Sequence, residues 1–130
     1  MIADTSFIID IMERVPEALK KAQELEDRQE KILITTITVF ELWIGITKSS
    51  KPEHEKKKVE EILQSQFIVD LDKESAQEAG KINGLLQLEG NIIDSEDCLI
   101  AGIAHHHGEM VVTKNVKHFR RIKSLSVETY

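Results

Sequence analysis

Five short stretches of the chain are apolar with little polar interruption: 1–3, 32–35, 67–71, 110–113 and 125–128. They are brief and rich in β-branched residues, which predicts strands. Met1-Ile2-Ala3, Ile32-Leu33-Ile34-Thr35 and Met110-Val111-Val112-Thr113 show almost no alternation, the pattern expected of strands covered on both faces. Between these stretches the apolar period lengthens to that of a helix. Ala18, Leu19, Ala22 and Leu25 form one stripe, and Val59, Ile62 and Leu63 another. Ala76, Ala79, Ile82, Leu85 and Leu86 form a third, and Leu99, Ile100, Ile103 and Ala104 a fourth. Pro16 and Pro52 suit first helical turns, and Gly108 suits the left-handed residue that ends the fourth helix. Gly80 and Gly102, inside helical patterns, predict close helix packing. Strands alternating with helices predict a three-layer α/β/α domain with a central, mainly parallel sheet.

A chain of 130 residues fits a single domain spanning 1–130. Hydrophobic residues at 41% and charged residues at 31% fit a folded globular protein and argue against a disordered one. The lone cysteine, Cys98, excludes an internal disulfide and a four-thiolate zinc site, and reads as a small core residue. No run of 18 apolar residues exists to span a membrane, and the apolar stretch at Met1 leaves no room for a signal peptide. The expected location is the cytoplasm. The net charge of −6 conceals two basic islands. Residues 48–58 carry five basic and two acidic side chains, and residues 114–123 carry five basic and none acidic. Solvated faces account for such islands, and so does contact with a polyanion.

Ligands of open parallel α/β sheets bind outside the carboxyl ends of the strands. Asp4 follows the first predicted strand directly. Glu41 lies about one turn into the helix after the second, and Thr113-Lys114-Asn115 follows the fourth. Asp97 falls in the first turn of the helix before that strand. Oxygen donors gathered at one crevice suit Mg²⁺ or Mn²⁺ and the phosphoryl chemistry such ions support. Each residue also has a local explanation. Asp4 can cap the helix beginning near Ser6. Thr38-Val39-Phe40-Glu41 matches a capping box, and Asp94 reads as an N-cap with Asp97 in an acidic first turn. Phe40 and Trp43 suit a core or an interface. His105-His106-His107 points in three directions on a helix, so the three cannot share one ion, and near a helix C-terminus they answer its dipole. No P-loop, GxGxxG, GxSxG or HExxH is present, which disfavours Walker-type hydrolysis, dinucleotide binding, serine hydrolysis and zinc proteolysis.

Four segments in order resemble the PIN-domain family. They are Ile2-Ala3-Asp4-Thr5-Ser6, the stretch Thr36 to Ile46 with its Glu41-Leu42 and Gly45, Ile93 to Ala101 around Asp97, and Val111 to Phe119. A single compact domain of this length is most similar to the VapC type. That resemblance implies a Mg²⁺- or Mn²⁺-dependent endoribonuclease, the toxin of a toxin–antitoxin pair, homodimeric and held inactive by a VapB-type antitoxin. It implies Asp4 and Asp97 as metal ligands and Glu41 as the residue orienting the attacking water or holding a second ion. Asn115 takes the fourth catalytic position, where the family often has an acid. Ser6 and Thr113 would support this shell, and hydrolysis would leave a 5′-phosphate and a 3′-hydroxyl. In this frame Lys117, Arg120 and Arg121 become candidates for binding RNA phosphates. The alternative is a catalytically degenerate PIN-fold module that binds RNA or protein, for which the neutral Asn115 is the only sequence support. A haloacid-type phosphatase would need an acid where Ser6 stands, and a receiver domain needs paired acids before its first-strand terminus.

Overall fold

In a computed structural model describing all 130 residues, the five predicted strands form one parallel sheet in the order β3-β2-β1-β4-β5. These strands are β1 (Ile2–Ala3), β2 (Leu33–Thr35), β3 (Phe67–Val69), β4 (Val111–Val112) and β5 (Val127–Glu128). The three that lack alternation, β2, β1 and β4, occupy the centre. Ile2 pairs with Leu33 and Val111, and Ala3 pairs with Ile34 and Val112. Because side chains alternate across a strand, the first row faces one layer of helices and the second row the other.

The helices are α1 (Thr5–Met12), α2 (Pro16–Asp27), α3 (Thr36–Lys48), α4 (Pro52–Gln64), α5 (Lys73–Glu89), α6 (Ser95–His107) and the short α7 (Val116–Phe119). One core joins Ile2 and Val111 to Ile82 and Leu86 of α5, Ile100 and Ile103 of α6, and Phe119. The opposite core joins Ala3, Ile34 and Val112 to Phe7 and Ile8 of α1, Ala18 and Leu25 of α2, Leu42 and Ile46 of α3, and Val59 of α4. Each fully buried Ile, Leu or Phe contributes about 1.5–3 kcal/mol relative to exposure, and these two layers are what hold strands of two or three residues together. No helix is long and apolar enough to cross a membrane.

Pro16 and Pro52 stand at the first helical positions, and Gly108 ends α6 at φ +66°. Gly102 packs as expected: a Cβ there would lie 2.6 Å from Ala79 Cβ and from the Ser75 carbonyl oxygen of α5. Gly80 does not, since a Cβ there meets nothing within 4 Å. The third stripe is also rotated from its expected face. Ser75, Ala79, Ile82 and Leu86 are buried, whereas Ala76 and Leu85 are exposed, because the contact with α6 centres on the 75–79–82–86 row. Phe40 and Trp43 are not core. With Ile44 they form an exposed apolar face of α3, while Leu42 and Ile46 face inward.

Candidate active site

The parallel sheet delivers its strand ends to one rim, and the helices leaving that rim begin there. Asp4 sits between β1 and α1 with extended backbone (φ −72°, ψ 169°) and caps α1, its Oδ1 accepting the Phe7 N–H at 2.9 Å. The cap explanation is thus correct and incomplete. The Ser6 hydroxyl donates to both carboxylate oxygens at 2.7 and 2.9 Å, and the Thr113 hydroxyl donates to Oδ2 across the sheet. Thr113 in turn accepts the Asn115 N–H at 2.8 Å. Asp4 is only 2% exposed. Burial pushes its proton affinity up, against these donors and the nearby Lys114 charge.

Glu41 reaches the same rim from α3. Thr38 is not the cap of that helix, contrary to the capping-box expectation. Thr35, the last residue of β2, caps it by accepting the Thr38 N–H at 3.2 Å. This frees both Thr38 and Glu41, one turn apart on a single face, to meet Thr5. The Thr5 hydroxyl donates to Glu41 Oε1 at 2.8 Å and lies 3.0 Å from Thr38 Oγ1. Since Thr5 has one proton to give, Thr38 donates to it.

Asp97 stands in the first turn of α6, half-buried, with Oδ2 3.2 Å from Nδ1 of His118 on α7. Asp94 holds the N-cap position of α6, but its side chain makes no cap bond. It lies with Asp97 and His118 in a group whose ligand atoms are all within 4.8 Å of one another. The capping role expected for Asp94 therefore gives way to membership of the acidic cluster.

Asp97 and Glu41 are both pushed up, first by burial and then by neighbouring negative charge. Asp4 and Asp94 act on Asp97, and Asp97, Glu96 and Asp4 act on Glu41. Three carboxylates from β1–α1, α3 and α6 thus share a rim with too little positive charge to balance them. Lys114, the nearest cation by sequence, is drawn off to Asp10 at 2.8 and 3.0 Å, and Asp10 also accepts the Tyr130 hydroxyl. Asp97 Oδ1 and Glu41 Oε2 have no protein donor, and the Ser6 proton bridging both Asp4 oxygens can leave one of them. This donor set fits a hard divalent cation.

Asn115 is exposed at the start of α7 and makes no side-chain hydrogen bond. Lys117 and Arg120 are exposed on and beside α7 without ion pairs, while Arg121 donates to the Ile92 carbonyl at 2.9 Å. Cys98 is buried, its thiol pushed up to about 11 by burial and by Asp97 and Asp94, which suits an inert core residue. Two participants lay outside the sequence expectation. His118 is separated from Asp97 by 21 positions. Thr5 is a hydroxyl whose partners lie 33 and 36 positions away. The signals available were adjacency and motif: Thr5 follows Asp4, His118 shares a turn with Asn115, and both lie inside segments that resemble the family.

With three acids gathered at the strand-end rim of a three-layer α/β/α fold, the family model for the PIN domain matches residues 1–125. The chain belongs to the PIN-domain family. It is 30% identical to Ribonuclease VapC2 of Haemophilus influenzae over 127 residues, 98% of this chain and 95% of that protein. It is 31% identical to the tRNA(fMet)-specific endonuclease VapC of Salmonella typhimurium, with the same coverage of both. Among solved structures, it superposes on the Rickettsia felis VapBC2 complex bound to a promoter DNA fragment with a TM-score of 0.90. The identity there is 29%, covering 99% of this chain and 97% of the other. The DNA-bound VapBC complex of Salmonella typhimurium gives a TM-score of 0.88 at 30% identity, covering 98% and 96%.

Proposed function

We propose that residues 1–130 act as one nuclease domain, a divalent-metal-dependent endoribonuclease that serves as the toxin of a toxin–antitoxin pair. The observation that carries this reading is the mutual charge of Asp4, Glu41 and Asp97 at the rim, on a fold shared with proteins named ribonucleases. Asp4 and Asp97 would hold Mg²⁺ or Mn²⁺. When bound, the ion supplies positive charge for the scissile phosphate and acidifies a water for attack. The chain's own groups do the rest. Ser6, Thr113 and the Phe7 N–H fix the Asp4 carboxylate, so that it does not reorient as charge develops. Glu41, pushed up by burial and held in place by the Thr5 hydroxyl, would orient the attacking water and accept its proton, or hold a second ion. His118 positions Asp97, and the exposed Asn115, whose N–H bonds Thr113, would take the fourth catalytic position. Lys117, Arg120 and Arg121 extend a basic surface from Asn115 along which RNA phosphates would lie.

The relatives known as VapBC complexes support a VapB-type antitoxin as partner and a cytoplasmic setting. Homodimerisation belongs to the same reading, and the exposed Phe40, Trp43 and Ile44 supply apolar surface for a protein contact.

The test is cleavage of a labelled RNA panel by the antitoxin-free chain in Mg²⁺, Mn²⁺ and EDTA. Asp4→Asn and Asp97→Asn are purified identically, with circular dichroism to confirm that each folds. Metal-dependent cleavage that both variants abolish is the expected result. Equal cleavage by wild type and variants identifies a contaminating ribonuclease. Absence of cleavage on every RNA, without Mn²⁺ binding, leaves the degenerate binding module as the better description.

A further inference from the structure

The histidine run at the end of α6 takes no part in the rim chemistry. It lies nine residues beyond Asp97, about 14 Å further along the helix axis. Because α5 and α6 pack antiparallel, the start of α5 comes to the end of α6. Asp72, the N-cap of α5, thereby meets the last turn of α6.

The three histidines divide there. His105 turns to Glu78, with Nδ1 3.0 Å from Oε2. His106 and His107 turn together, their rings edge to face with centroids 5.0 Å apart and an interplanar angle of 71°. His106 Nε2 lies 3.9 Å from Asp72 Oδ2. Asp72 Oδ1 is already committed, accepting the Ser75 N–H at 2.8 Å, so the carboxylate is held with its second oxygen toward the imidazoles. One ligand atom from each of Asp72, His106 and His107 lies within 4.8 Å of the others. Donors around a tetrahedral ion bound at about 2.0–2.1 Å stand roughly 3.3 Å apart, so small rotations of exposed side chains close the set. Two neighbouring helical residues can share an ion here because their rings turn to one side at the end of the helix, toward the Asp72 carboxylate.

We propose that Asp72, His106 and His107 form a second cation site, apart from the carboxylate rim, that takes a transition-metal dication of the zinc class. Two imidazoles and one carboxylate are the donors such ions select over Mg²⁺. Three protein ligands leave one position of a tetrahedral ion for water. Occupancy would tie the start of α5 to the end of α6, and so brace the hairpin that carries Asp94 and Asp97.

The test is isothermal titration with ZnCl₂, with CoCl₂ as the visible-absorbing probe, on the full chain carrying Asp97→Asn to weaken the rim. One equivalent should bind. His106→Gln and His107→Gln should each weaken it at least roughly tenfold, since even loss of an outer-shell partner costs 10–100-fold. His105→Gln should leave it unchanged. All three changes lie on an exposed turn, and circular dichroism checks the fold of each. The proposal is overturned if His106→Gln and His107→Gln bind as tightly as the parent. It is equally overturned if His105→Gln weakens binding as much as they do, which marks adventitious capture by a histidine run. Binding present only when Asp97 is restored overturns it too, by assigning the ion to the rim.

Discussion

Two glycines in the α5–α6 hairpin should respond oppositely to the same substitution. A methyl group at Gly102 would stand 2.6 Å from Ala79 Cβ, from Ala79 N and from the Ser75 carbonyl oxygen. Two of those three atoms are backbone, so no side chain can swing aside and the helices themselves must separate. Overpacking of this kind costs about 1–3 kcal/mol, and the contact with backbone puts this case at the upper end. Replacing a helical glycine with alanine returns about 1 kcal/mol of helix propensity. The net expectation for Gly102→Ala is a loss of about 1–2 kcal/mol, or a fall in Tm of roughly 3–10 °C for a domain of this size. Gly80→Ala meets nothing within 4 Å. It should gain about 0.5–1 kcal/mol from propensity alone. Urea unfolding followed by circular dichroism measures both. If Gly102→Ala is as stable as Gly80→Ala, the helices do not cross as closely as described and the reasoning fails.

Glu41→Gln should raise Tm at pH 7, because burial and the charges of Asp97, Glu96 and Asp4 all disfavour the ionised carboxylate. Its folded proton affinity exceeds the unfolded one, so the gain should shrink as pH falls through the raised value; a Tm below wild type at pH 7 would contradict this, and RNA cleavage should drop as Tm rises. Glu128 works in the opposite sense: hydrogen bonds from Arg28 and Lys21 hold it at about 2. Its stabilisation is therefore present above the ordinary glutamate range and lost as pH falls from there toward 2, so acid titration of Glu128→Gln should run flatter than wild type over that interval. Charge reversal at Arg120 and Arg121 should weaken RNA binding and flatten its dependence on salt, and an unchanged slope would remove these residues from the interface.

The fold was legible because the central strands are covered on both faces, and double coverage leaves a visible mark, the loss of alternation in 1–3, 32–35 and 110–113. Chain punctuation was equally legible, since Pro16, Pro52 and Gly108 act through local backbone geometry. Asp4, Glu41 and Asp97 could be nominated because one topological rule sends strand ends to a common rim. The facts that escaped prediction are of another kind. Which threonine caps α3 was decided by where β2 stops, and pairing with β1 and β3 determines that end. The rotation of α3 and α5 about their axes decided that Phe40, Trp43 and Leu85 face outward. His118 and Thr5 acquired their partners from segments that only tertiary packing brings near.

Beyond the local bonds of Ser6 and Phe7 to Asp4, the rim is assembled from distant parts of the chain. Asp4 is held by a hydroxyl 109 positions downstream, Thr5 bridges to Glu41 across 36, and Asp97 leans on His118. During synthesis the acids of β1, α3 and α6 leave the ribosome as unconnected side chains, and β4 must follow before Thr113 can lock the first of them. A nuclease that acts on RNA would be born surrounded by the RNA of the machine making it. Order of synthesis would delay its assembly through that exposure, because Thr113 and His118, which hold Asp4 and Asp97, are made after all three acids.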